Sequence, residues 1–349
     1  MTAVAAPTTP ARRVNRGWGL LAASAIGVVA YYLVLLILVY PKSPDIALQQ
    51  TANALSIGAI YALVALGYTL VYGIIELINF AHGDVFMVGA FLSIIFLSGI
   101  MGQNGPVENV PFLIILILGA LVFVMPLTGL LNTSIDRFVY RPMRHAPRLA
   151  PLISGIGVSL ILQNIVLIVA GSGDRRSPQI FPISWRLEIA GASVPILNFV
   201  ILGLALGLMV FLQLFVGRTR MGRAMRSVAQ DQEASQLMGV DLNQTIAVTF
   251  LLGGALAGAA GVVWGFNYGF VRFDLGFNAG LKAFTAAVLG GIGSITGAVL
   301  GGFIIGFVEN FAVSLGKGGL GQIIVFGVLT FVLIFRPTGL LGQASGDRA

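Results

Sequence analysis

Long apolar runs separated by short polar breaks cover most of the chain, and the runs set the elements. They fall at about 20–40, 47–72, 85–101, 111–131, 150–170, 196–216, 245–268, 295–315 and 321–335, with a shorter piece at 281–289. Several reach the ~20 residues that a helix needs to cross the ~30 Å hydrocarbon core of a bilayer. The pattern predicts an all-α polytopic integral membrane protein with about 9–10 transmembrane helices, short and broken segments included.

Two places interrupt this pattern. The 281–289 piece would be only ~14 Å long as a helix, too short to span alone. It has to be extended by its flanks, re-entrant, or half of a broken helix, because irregular backbone at membrane depth survives only under cover of protein or a wet cavity. The stretch ELINFAHGDVFMVGAF, residues 76–91, is the matching irregularity in the first half, with Glu76, His82 and Asp84 between two apolar runs. Paired interruptions in corresponding halves point to a transport path. Each also reads as an ordinary turn between helices, and His82 as a hydrogen-bonding brace for a helix end.

Composition supports the membrane reading. The 349 residues are 57% hydrophobic and 9% charged, against roughly 25% charged in soluble domains. The net charge of +7 does not suggest nucleic acid, because the basic residues gather on loops, as the positive-inside rule expects. With the N-terminus in the cytoplasm and every run crossing once, 13 of the 20 Lys and Arg fall on the cytoplasmic side. Both termini are therefore expected inside. The run at 20–40 exceeds a signal-peptide core and lacks a small-residue cleavage site, so it is expected to stay as a membrane helix.

Catalytic signatures are missing. There is no cysteine, so disulfides and thiolate chemistry are excluded. The two histidines, His82 and His145, have no metal-ligand partners at useful spacing, and no G-x-S-x-G occurs. Lys317, in Gly316-Lys317-Gly318, is followed by no Ser or Thr, so the chain has no P-loop. No enzyme activity and no cofactor are expected; any ATP would be handled by a partner subunit.

The loop GRTRMGRAMRSVAQDQEASQLMGVDLN offers a place for such a partner. Met221, Met225, Val228 and Ala229 fall on one helical face, with Leu237, Met238 and Val240 beyond. That face suits a partner's groove or, equally, a headgroup surface. Elsewhere, Gly254 and Gly258, Gly297 and Gly301, and Gly302 and Gly306 form GxxxG pairs, with Gly261 close by. Small residues at this spacing let membrane helices approach closely.

The loop also carries a resemblance. EASQLMG, residues 233–239, resembles the EAA-type signature of ABC importer permeases, with Ser235 where a second Ala is usual. GAIYALVALGYTLVYGIIELINFAHGDVFMVGAF, GLKAFTAAVLGGIGSITGAVLGG and the ending RPTGLLG resemble the LivH-type permease of branched-chain amino acid importers, over roughly 47–342. The phrase NFAHGD favours the H-type over its M-type sister.

The resemblance implies a type II-like ABC importer permease in the bacterial inner membrane. Its parts would be a disordered cytoplasmic N-terminus (1–17), an additional transmembrane helix (18–40), the permease domain (41–342) and a cytoplasmic tail (343–349). Within the permease, a coupling loop at 217–243 would dock on the ATPase through Arg226, Asp231, Glu233, Ala234 and Gly239. The implied partners are an M-type permease in a heterodimer, two ABC ATPase subunits, a periplasmic substrate-binding protein and the lipid bilayer.

A zwitterion with an aliphatic side chain needs a few helix-end or side-chain dipoles among apolar walls. Asn79, Ser154, Asn164, Asn267 and Thr285 could supply them, and ionisable residues within spans are functional candidates by default: Glu76, His82, Asp84, Lys282 and Glu309. Other cargo fits the same frame, namely urea, short amides or aromatic amino acids. Two further classes are open: an ion-coupled secondary transporter using Glu76 or Glu309, and a receptor or scaffold without flux.

Overall fold

A computed structural model describes residues 26–342 apart from 42, 145, 148, 317 and 337. The expected N-terminal tail, the start of the helix at 18–40 and the C-terminal tail at 343–349 lie outside the described residues, as do Lys42, His145, Arg148 and Lys317. Among the described residues, eight helices are long and apolar enough to cross a membrane. They are α2 (Pro44–Ile75), α3 (His82–Ile100), α4 (Val110–Met143), α5 (Leu149–Ala170), α6 (Ile196–Arg218), α9 (Leu242–Tyr268), α11 (Ile295–Ser314) and the last, Gly318–Phe335, called α12. Shorter pieces are α1 (Ile26–Val39), α7 (Arg220–Gln230), α8 (Gln232–Leu237) and α10 (Leu275–Gly290).

The expected crossing at 281–289 is longer than its apolar run. α10 begins six residues earlier and reaches 16 residues, ~24 Å at 1.5 Å per residue. The flanks thus extend the piece, yet it stays short of the ~20 residues that a crossing needs. The break comes after it, where Gly291 takes φ 102° and Gly293 φ 92°. Leu340 and Leu341 donate backbone hydrogen bonds to the carbonyls of Leu289 and Gly290 across this break, so the end of α10 is satisfied.

Two sets of helices mirror each other. α11 lies along α2 as α4 lies along α9; α3 packs on α9 as α10 packs on α2; α2 meets α9, and α3 meets α10. The glycines explain why these pairs pack so closely. A Cβ on Gly302 would come within 2.5 Å of the Ala62 backbone, and one on Gly254 within 2.6 Å of Asn132 and of the Thr128 carbonyl. Gly297 and Gly301 open the other face of α11 to Gly290 and Ala286 of α10, while Gly261 opens α9 to Phe86 and Ala90 of α3. Each GxxxG pair thus serves a particular helix contact. α1 adds itself to α11, where Tyr31 stacks on Phe307 at 4.6 Å and its hydroxyl accepts from Asn310.

α6 separates the two ends of the bundle. One end holds the α7–α8 pair; the other holds the hairpin β2 (Arg186–Ile189) and β3 (Ala192–Pro195). A short antiparallel pair, β1 (Arg175–Arg176) with β4 (Phe270–Val271), ties the connection after α5 to the one after α9.

The apolar face of the α7 loop goes inward. Met225 and Val228 are buried, with Met221 and Ala229 packed beside them on the main core formed by α2, α6 and α9. This corrects the expectation of a face offered to a partner or to headgroups. α8 and the residues just after it supply the outward surface, where Leu237 and Met238 are 89% and 84% exposed.

Candidate functional site

The α7–α8 pair is built from caps. Thr219 accepts from the Gly222 N–H at 2.9 Å to start α7. Asp231 accepts from the Ala234 N–H at 2.9 Å to start α8, and Asp241 accepts from Gln244 to start α9. Such caps satisfy helix-end N–H groups and are worth about 1 kcal/mol each. Gly239 ends α8 at φ 85°, the left-handed conformation that glycine adopts without a Cβ penalty. The backbone N–H groups of Gly239 and Val240 donate back to Gln236 and Ser235. The Gly of the signature is therefore a helix stop that lets the chain turn into α9.

Ser235, the departure from the usual Ala, is the buried residue of α8. Its hydroxyl donates to the Asp231 carbonyl at 2.6 Å and pairs with Ser227 at 2.9 Å. Of the expected docking residues, Asp231, Glu233, Ala234 and Gly239 are exposed. Arg226 is exposed as well, and its guanidinium donates to the Val216 carbonyl at the C-terminal end of α6, where a cation is favourable.

The pair is tied to the first interruption. Gln232 donates from Nε2 to the Ile74 carbonyl at 3.1 Å, and Ile74, Ile75 and Glu76 share a cleft with residues 228–233. Glu76 itself ends α2 at φ 56°, an uncommon conformation for a residue with a side chain. The chain then runs without helix to His82.

That break is held by amides. The Asn79 amide donates to Asn132 Oδ1 at 3.0 Å, Asn132 donates to the Phe250 carbonyl at 2.7 Å, and the Tyr140 hydroxyl donates to Asn79 Oδ1 at 3.2 Å. His82 follows, fully buried, its ring edge-on to Tyr68 at 4.7 Å and pressed on the backbone of Gly67. Asp84 is equally buried and faces the Ser159–Gln163 pair of α5 without a well-aligned hydrogen bond.

The first turn of α3 meets the first turns of α10. A Cβ on Gly280 would lie 2.8 Å from Gly83, and one on Gly276 would strike Asp84. The start of α3, within the first interruption, is thus in direct contact with the start of α10, the helix that contains the 281–289 piece. Nearby, Lys282 donates to Glu309 Oε1 at 2.6 Å, and the Tyr61 hydroxyl donates to Glu309 Oε2 at 2.6 Å. This joins two of the expected ionisable residues across α10 and α11.

The remaining candidates lie apart. Thr285 is buried and donates to the Leu281 carbonyl within its own helix. Ser154 donates to the Met143 sulfur, Asn164 is exposed on α5 and bonds Leu160, and Asn267 is partly buried near the end of α9. Among the described residues, no cluster of three or more potential metal ligands occurs.

Apolar helices interlocked through glycines, with broken segments meeting in the centre, make this a multi-pass helical membrane protein. Residues 50–334 match the family model described as "Branched-chain amino acid transport system / permease component", so the chain belongs to that family. A high-affinity branched-chain amino acid transport system permease protein, BraD of Pseudomonas aeruginosa, is 42% identical over 86% of this chain and 97% of its own. LivH of Escherichia coli K12, a permease protein of the same description, is 40% identical over the same shares. A probable LivH of the archaeon Methanocaldococcus jannaschii is 28% identical over 57% of this chain and 60% of its own. No solved structure matches the chain significantly.

Proposed function

We propose that this chain is the H-type permease subunit of an ATP-driven importer that moves branched-chain amino acids into the cytoplasm. It pairs with an M-type permease, receives cargo from a periplasmic binding protein and is driven by two separate ATPase subunits. α7 and α8 face the cytoplasm with both termini, and the β2–β3 hairpin faces the periplasm. The single observation that carries the reading is the Gln232–Ile74 hydrogen bond. It connects the exposed signature on α8 to the end of α2, hence to the break that precedes His82.

In this reading the ATPase docks on α8 through Asp231, Glu233, Ala234 and the Leu237–Met238 edge, while Gly239 preserves the turn. Displacement of α8 pulls on Ile74 and Glu76 and is passed through 76–81 to the first turn of α3. α3 rests on α10, so both interruptions respond together. Asn79 serves as a joint in this linkage, and His82 braces α3 against α2. Lys282 and Glu309 lie on the path itself.

Uptake of labelled leucine against labelled urea, in cells lacking their own systems for both, tests the assignment. Leucine uptake that requires this chain and its ATPases is expected. Uptake of urea alone, or uptake that persists without any ATPase, would overturn it.

A further inference from the structure

Beside the Lys282–Glu309 pair lies a cleft of about 270 Å³. Tyr61, Trp264, Arg272, Asp274, Asn278 and Lys282 line it. It is smaller than the roughly 300–1,000 Å³ of pockets for drug-sized ligands, a size suited to one metabolite. Its charges form two pairs. Lys282 and Glu309 are 14% and 16% exposed and form the inner pair. Arg272 and Asp274, bonded at 2.8 Å, are 47% and 31% exposed and sit at the rim.

Trp264 is 8% exposed, and its indole N–H is covered without a hydrogen-bond partner. Buried donors of this kind are rare in folded proteins. Trp264 also stacks on Tyr268 at 3.9 Å, which fixes the ring.

We propose that this cleft transiently holds the zwitterionic head of an aliphatic α-amino acid, which exchanges partners with the Lys282–Glu309 pair. The carboxylate takes the Lys282 ammonium. The amino acid's ammonium takes Glu309 and the face of Tyr61, which already lies 6.0 Å from the Lys282 nitrogen in the range of cation–π attraction. The inference rests on the importer reading above.

Charge balance selects this cargo class. The inner pair is one cation and one anion, Lys282 and Glu309, so a zwitterion re-pairs both charges that it separates. A solute with net charge would leave one partner uncompensated in a partly buried site, which is costly. A neutral amide such as urea has no charges with which to open the pair. Binding stays weak, because the solute competes with an ion pair that is already made.

The chain has no cysteine, so Asn278→Cys places one thiol of this chain on the exposed wall of the cleft. The intact transporter, with its partner subunits in proteoliposomes, is labelled with a charged thiosulfonate. L-Leucine is expected to slow labelling of this chain several-fold. Leucinamide and 4-methylpentanoate, which each lack one of the two charges, should not. Adding Lys282→Met should abolish protection while labelling continues; should that variant fail to insert, Lys282→Gln, which stays polar but loses the charge, should weaken protection instead. Equal labelling with and without leucine, in a transporter that accumulates leucine, would overturn the proposal, as would protection that survives both variants. Absence of leucine uptake by the unaltered transporter would instead overturn the importer reading on which the cleft depends.

Discussion

Gln232 of α8 and the Ile74 carbonyl of α2 are joined by a 3.1 Å hydrogen bond. The outermost helix of the α7–α8 end thereby touches the last turn of a largely buried helix. Replacing Gln232 with Ala removes the bond and leaves Asp231, Glu233 and the Leu237–Met238 edge in place. A hydrogen bond of this type is worth about 1 kcal/mol, so leucine uptake should fall about five-fold while ATPase binding is retained. Uptake and ATPase co-purification measured together check this; loss of both in parallel would show that Gln232 supports docking instead.

Gly239 has room but not conformation. A Cβ there meets nothing within 4 Å, yet φ is 85°. A β-branched residue would therefore strain the turn by roughly 1–2 kcal/mol. Gly239→Val should abolish ATPase association in pull-downs while the protein still inserts, and Gly239→Asn, which tolerates this conformation better, should retain part of it. Equal association of Val and wild type would remove Gly239 from the docking turn.

Gly302 has conformation but no room. Gly302→Val forces α11 away from Ala62, at the 1–3 kcal/mol typical of overpacking, or more. Gly207→Val on α6 meets open space and serves as the control. Thermal unfolding in detergent should show a clear loss for the first and little for the second.

Asn132 holds both Asn79 and the Phe250 carbonyl. Asn132→Leu leaves the Asn79 amide buried without its acceptor, which costs about 1–3 kcal/mol. Tyr140→Phe removes only one donor from the same group and should cost less. The ranking of unfolding temperatures tests the network.

The apolar runs made the helices legible, because a bilayer-spanning helix must be apolar over a fixed length. The glycine pairs were legible as contacts, though not which partner each would meet, since spacing within one helix carries no address on another. The α7 face was read as free because amphipathicity shows that a face is buried and leaves open against what. Ser235 looked like a minor departure; only its 2.9 Å approach to Ser227 explains a hydroxyl there. Asn79 is visible as an isolated polar residue, whereas Asn132 and Tyr140 lie just past the apolar run at 111–131, where the pattern gives no sign that the helix continues and turns them inward. Lys282 and Glu309 stood out singly as charges in apolar surroundings. Their pairing joins positions far apart in sequence, and Tyr61 and Trp264 gave no signal because aromatic residues are ordinary in a membrane span.

The mirrored clasp of α11 on α2 has a consequence for biogenesis. Ala62 and Gly302 lie about 240 positions apart, and chains are made at ~5–20 residues per second, so α2 waits roughly 10–50 s for the helix that covers it. During that interval the small-residue face of α2, shaped for another helix, is open to lipid or to insertion factors. The first half of the molecule is thus assembled last around its own earliest core helix. Truncated chains that stop before α11 should be recognised by quality-control proteases as incomplete, however well their helices have inserted.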